Sequence, residues 1–159
     1  MTDIEYMKLA FDKATLSIDP STQNGAIIVN EATGEILGGG CNEFPSGVEV
    51  LTERWERPLK YSFVEHSERN AIFFCARKGK ATAGMTMYCP WFACADCARA
   101  IIQAGITRVV GHKVDITNDR WAGSIEVAIQ MLKEAGVQMD YVDHKYGITI
   151  RRNGEDLEF

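Results

Sequence analysis

Met85-Thr86-Met87-Tyr88-Cys89, then Pro90-Trp91-Phe92-Ala93, then Cys94-Ala95-Asp96-Cys97-Ala98-Arg99-Ala100-Ile101-Ile102-Gln103-Ala104-Gly105, then Ile106-Thr107-Arg108-Val109-Val110 is the stretch that decides the fold. Residues 85–89 and 106–110 are short apolar runs of strand length, and residues 94–104 carry apolar positions at helical spacing with Gly105 as the stop. Strand, helix, strand in that order implies a parallel pair joined by a crossover. Cys94 and Cys97 are three apart at the start of the helix, so their sulfurs share one side. The positive end of the helix dipole favours the thiolate form that a metal requires.

The same alternation of elements extends in both directions. Upstream, residues from His66 through Ala71-Ile72-Phe73-Phe74-Cys75-Ala76 read as a buried helix ending near Lys78-Gly79. Before it, Ala26-Ile27-Ile28-Val29 and Glu35-Ile36-Leu37, separated by a turn at 30–34, read as a β-hairpin whose second strand is ended or bulged by Gly38-Gly39-Gly40. Residues from about 3 to 16 predict a helix burying Ile4, Met7, Ala10, Phe11 and Ala14 and stopping near Asp19-Pro20. Residues 42–62 show no clear period and form a connection longer than compact domains usually carry. Downstream, 119–135 predicts a helix with Ile125, Ala128, Ile129 and Leu132 inward. Strands at 137–142 and 146–151 follow. No repeat or composition break divides the 159 residues, so a single α/β domain over 1–159 is expected.

Composition narrows the function classes. Seventeen Lys and Arg against 22 Asp and Glu leave a net charge of -5, which argues against a protein that grips nucleic acid by phosphate neutralisation and favours a small substrate. No apolar run approaches the length of a membrane span, and the first residues lack the pattern of a signal peptide, so a cytoplasmic protein is expected. Five cysteines suit a reducing compartment. Cys41, Cys75 and Cys89 would be free thiols.

His66-Ser67-Glu68 stands upstream of the cysteine pair. One imidazole and two thiolates give zinc three protein ligands and leave a fourth position open, the pattern of a catalytic rather than a structural site. His66, Cys94 and Cys97 are therefore the expected ligands of Zn2+, set between two helix N-termini, and Glu68 is an unligated acid placed to carry protons. Two other readings remain open. Cys94 and Cys97 as a redox pair would leave His66 and Glu68 unexplained. A zinc-stabilised binding module without catalysis would need a fourth protein ligand, for which His112 and His144 are available.

These residues resemble the cytidine deaminase superfamily, and several blocks look most like its deoxycytidylate deaminase branch. The matching blocks are Asp19-Pro20-Ser21-Thr22-Gln23 before Gly25-Ala26, Gly40 through Gly47, Lys60-Tyr61 ahead of His66-Ser67-Glu68-Arg69-Asn70-Ala71-Ile72, and Cys94 through Ile106. The resemblance implies a three-layer α/β/α sandwich around a five-stranded mixed sheet. It also implies hydrolytic deamination of a cytosine nucleotide, most simply dCMP to dUMP and ammonia, with Glu68 moving the protons. The alternative is another deaminase of the superfamily, acting on a nucleoside, a modified dCMP, guanine or tRNA adenosine. A homo-oligomer, often a hexamer, and a deoxynucleoside triphosphate effector are implied in the same way, as is a hydrogen bond from Asn42 to the sugar. Tyr61 with Lys60 would serve sugar or phosphate, or be ordinary solvated residues. Trp91 and Phe92 would wall the base pocket or belong to the core. Arg54, Arg57, Lys60 and Arg69 offer positive charge near the site, or a solvated face. Departures from the pattern are Ala93 in place of proline before the first ligand cysteine, Leu16 where some members carry arginine, and Asn24 where an apolar residue is usual.

Overall fold

The computed structural model describes residues 1–115 and 117–159. Its central sheet has five strands: β1 (Gly25–Asn30), β2 (Glu35–Cys41), β3 (Thr86–Cys89), β4 (Arg108–His112) and β5 (Gln138–Val142), in the order β2-β1-β3-β4-β5. The β1 strand is antiparallel to both neighbours, whereas β3, β4 and β5 run parallel. The sheet is therefore mixed, as the resemblance implies, and the parallel half follows from the strand-helix-strand reading of residues 85–110.

Layering explains why the central strands read as continuous apolar runs. Along β1, Ala26 and Ile28 face one core cluster while Ile27 and Val29 face another; Met87 and Tyr88 on β3, and Val109 and Val110 on β4, split the same way. Both faces are covered, so neither can be polar. One cover is α3 (Ser67–Arg77), α4 (Ala95–Gln103) and α5 (Ala122–Glu134); the other is α1 (Asp3–Ala14). The α1 helix starts at a capping box in which the Thr2 side chain and Glu5 satisfy each other's backbone N–H. Gly25 lets α1 approach closely, because a Cβ there would lie 2.3 Å from Ala10 O and Ala14 N.

Several expectations need correction. In α1, Tyr6 is buried and Ile4 is 43% exposed, so the apolar face is rotated from the one read in the sequence. The α3 helix is only half buried: Phe73 and Phe74 face outward while Ala71 and Cys75 face the sheet. The glycines do not end β2, which continues to Cys41; the register irregularity falls just before them, opposite the Ile28/Val29 step. Gly40 permits close helix packing, since a Cβ there would meet Asn70 Cβ at 2.6 Å. Residues 42–62 are partly ordered by a 3-10 turn at Thr52–Trp55 and by the short helix α2 (Lys60–Phe63). The last strand belongs to a separate hairpin of β6 (Thr149–Arg152) and β7 (Glu155–Glu158), whose Ile150 packs into the α1-side cluster. Among the described residues, no helix is long and apolar enough to cross a membrane.

Candidate metal centre and cleft

The parallel strand β3 ends at Cys89, and the chain passes through 90–93 to Cys94, the N-cap of α4. His66 is the N-cap of α3 in the same extended conformation. Both caps lack a side-chain capping bond, so their side chains are free to point ahead of the helices rather than back onto them. They meet: His66 Nδ1 lies 3.5 Å from Cys94 Sγ and 3.5 Å from Cys97 Sγ, and the three ligand atoms fall within 4.8 Å of one another. Cys97, one turn into α4, is fully buried.

Electrostatics within this cluster single out Cys94 as the thiolate. The Cys94 thiol is lowered to about 4, first by its hydrogen bond with Cys97 and then by His66, against burial that would raise it. Cys97 is raised well above the ordinary thiol value because it is the partner that keeps the proton and is itself buried. Burial opposes charge on His66, but Cys94 and Glu68 outweigh it and the imidazole is raised. Arg69 adds a guanidinium 3.6 Å from Cys97 Sγ while paired with Glu65. Nitrogen and thiolate donors in this number suit zinc with one position left over. Among the described residues, no fourth His, Cys, Asp or Glu completes the set. His112 and His144 do not join it: His112 Nε2 bonds His144 O at 2.9 Å, and its ring packs against Phe11 and Phe159 in the α1-side cluster.

Glu68 follows His66 by two residues in the first turn of α3, 2% exposed, with its carboxylate accepting a hydrogen bond from Ser67 Oγ at 3.0 Å. Burial pushes its pKa up. Glu68, His66 and Cys94 line one cleft.

All four expected substrate residues line that cleft, but their local duties differ. Asn42 spends its amide on the fold: Oδ1 accepts from Ser67 N at 2.9 Å, satisfying an otherwise unpaired N–H of α3, and Nδ2 donates to Thr22 O at 3.1 Å. One Nδ2 hydrogen is left over for the cleft. The Tyr61 hydroxyl receives Arg57 Nε at 2.8 Å and Arg120 Nη1 at 3.3 Å. Trp91 is buried with its indole N–H on Gln23 O at 2.8 Å, and Phe92 both lines the cleft and packs on Tyr141. Of the four nearby cations read from the sequence, Arg57 lines the cleft. Lys60 does too, but its charge is engaged in a buried pair with Asp19. Arg54 instead lies over the Phe63 ring, and Arg69 faces the cysteines.

Sequence reasoning missed Trp121 and Arg152. Trp121 meets the His66 ring edge-to-face with centroids 5.8 Å apart, and Arg152 stacks on Trp91. Asn24 also acquires a purpose: its side-chain amide exchanges hydrogen bonds with Trp91 N and O at 3.2 and 3.4 Å, pinning the loop ahead of Cys94.

A mixed five-stranded sheet with a His-Cys-Cys cluster at two helix N-termini defines a metal-dependent α/β enzyme, in which three protein donors would leave a zinc ion one position for chemistry. Comparison with known proteins agrees. The model described as "Cytidine and deoxycytidylate deaminase zinc-binding region" matches residues 1–113. An uncharacterised deaminase of Aliivibrio fischeri is 36% identical over 145 residues, covering 87% of this chain and 94% of its own. The deoxycytidylate deaminase of Mus musculus is 36% identical over 149 residues, covering 89% and 79%. The crystal structure of dCMP deaminase from cyanophage S-TIM5 in complex with dCMP and dUMP superposes with a TM-score of 0.70 at 29% identity, covering 87% and 95%. The chain belongs to the cytidine and deoxycytidylate deaminase family, and its cofactor is zinc.

Proposed function

We propose that this chain hydrolyses the exocyclic amine of a cytosine nucleotide, converting dCMP and water to dUMP and ammonia. The observation that carries the reading is a buried, unligated carboxyl, Glu68, beside a three-ligand His-Cys-Cys cluster at the floor of an open cleft. His66, Cys94 and Cys97 would hold Zn2+, which when bound would acidify a water molecule in its remaining position. Glu68 takes a first proton from water as oxygen bonds to the amine-bearing carbon and hands it to the ring nitrogen. It then takes the second proton from the hydroxyl now on that carbon and delivers it to the amine as the C–N bond breaks, leaving the carbonyl and ammonia. Burial supports that double duty, because it raises the proton affinity of the carboxyl and so favours its holding a proton between the two transfers.

The remaining cleft residues orient the nucleotide. Trp91, Phe92 and Trp121 offer flat apolar walls to a base, and Asn42 retains one amide hydrogen toward a sugar. Arg57 and Arg120 converge on the Tyr61 hydroxyl, and neither forms an ion pair among the described residues, so both keep charge for a phosphate. A cytoplasmic homo-oligomer, hexameric and with a deoxynucleoside triphosphate effector, belongs to the same reading on the strength of family resemblance. The test is ammonia release from dCMP, CMP, deoxycytidine, 5-substituted dCMP and guanine by zinc-loaded protein. dCMP should lead; equal turnover of deoxycytidine would remove the phosphate from the proposal, and no release from any cytosine compound would remove the proposal itself.

A further inference from the structure

The family match ends at residue 113, yet the cleft has a wall residue from far beyond it. Arg152, at the end of β6, is 8% exposed. Its guanidinium lies over the Trp91 ring at 4.5 Å, while Nε and Nη2 reach the two carboxylate oxygens of Asp119 at 2.6 and 2.9 Å. Two backbone bonds and one to a side chain hold the hairpin in place: Gln23 N donates to Arg151 O at 2.8 Å, Gly154 N to Ser21 O at 2.9 Å, and Asn153 N to Thr22 Oγ1 at 3.1 Å. Asp119 in turn accepts from Trp121 N at 2.8 Å, just ahead of α5, and the Trp121 ring stands perpendicular to those of His66 and Tyr61, with centroids 5.8 and 6.0 Å away. One guanidinium therefore touches one tryptophan wall directly and sets the other through a carboxylate.

We propose that Arg152 is a positioning residue for the nucleotide: the C-terminal hairpin uses it to fix the Trp91 and Trp121 walls of the cleft, making substrate binding depend on a segment outside the family-matched region. This rests on the deaminase reading above. Stacking on an indole while gripping a carboxylate with two N–H groups requires a planar fork, which lysine lacks. The metal ligands, by contrast, are placed by their own helix N-termini, so loss of Arg152 should loosen binding more than chemistry.

Zinc-loaded Arg152→Ala and Arg152→Lys proteins test this through zinc content, near-ultraviolet circular dichroism of the tryptophans, and separate kcat and KM for dCMP. Arg152→Ala should keep its zinc, alter the tryptophan signal and raise KM about tenfold with kcat within about threefold, as expected when binding walls shift by a fraction of an ångström. Arg152→Lys should recover only part of the KM. An unchanged KM, a kcat loss at constant KM, or full recovery by lysine would overturn the proposal. Should Arg152→Ala fail to fold, the lysine variant decides alone: a wild-type KM overturns the proposal and a raised KM upholds it. If the wild-type protein does not deaminate dCMP, the functional reading fails separately. The tryptophan signal then still decides the positioning role, which a wild-type spectrum in the folded variants would exclude.

Discussion

Replacing Lys60 by methionine removes the cation from a pair whose side chains are 6% and 1% exposed and whose Nζ–Oδ1 separation is 2.8 Å. Removing one partner of such a buried pair costs roughly 3–5 kcal/mol, most of it from the stranded opposite charge. Asp19 Oδ1 keeps two backbone donors, Ser21 N at 2.8 Å and Thr22 N at 3.1 Å. Methionine preserves most of the buried lysine stem, so the loss should lie at the low end, about 3 kcal/mol. For a domain of this size that corresponds to a fall in Tm of roughly 6–12 °C. Adding Asp19→Asn removes the stranded charge while leaving an oxygen for the two backbone N–H groups. The double variant should therefore recover about 2 kcal/mol, a coupling that only interacting residues show. Urea unfolding followed by tryptophan fluorescence, with zinc held at fixed excess because bound metal adds to apparent stability, measures all three proteins. A single-variant loss under about 1 kcal/mol, or a double variant as unstable as the sum of the singles, would refute the assigned role of the pair.

Two further outcomes follow from packing and from titration. Gly25→Ala places a Cβ 2.3 Å from backbone atoms of Ala10 and Ala14, which cannot swing aside, so α1 must lift from the sheet; a loss of about 3 kcal/mol is expected in the same assay. Asp119 is half-buried, which alone would raise its carboxyl, but hydrogen bonds from Arg152 and Trp121 N hold it below the ordinary aspartate value. Its contribution to stability is thus complete above about pH 4 and is lost as pH falls through the lower folded value. Urea midpoints measured from about pH 6 downward should fall less steeply in Asp119→Asn than in the wild type, and equal slopes would contradict the pairing.

The cysteine helix and the parallel strands flanking it were legible because their signals are local: apolar runs of strand length, a glycine stop, and ligands at helical spacing. His66 and Glu68 were legible for the same reason, since a first turn places both ahead of α3. What escaped depends on contacts between distant segments. Nothing near Arg152 in sequence announces that it will reach Trp91 and Asp119, and a tryptophan at 121 gives no local sign that it will pack against His66. Phe73 and Phe74 look like core in a run of apolar residues, yet α3 buries only Ala71 and Cys75 fully on the sheet side, because Gly38 and Gly40 bring the helix into close contact with β2 and leave both phenylalanines at the margin. Asn42 was expected at the sugar on family likeness, but sequence could not reveal that its amide is already bonded to Ser67 N and Thr22 O.

Metal content and turnover measured on one preparation of Glu68→Gln bear most directly on the centre. Glutamine keeps the size of the buried side chain and leaves His66, Cys94 and Cys97 untouched. The expected result is one zinc per chain, as in the wild type, with kcat for dCMP lowered about 10²- to 10⁴-fold, the usual worth of a positioned proton carrier. A Glu68→Gln protein that holds its zinc and turns over dCMP at the wild-type rate would contradict the assignment.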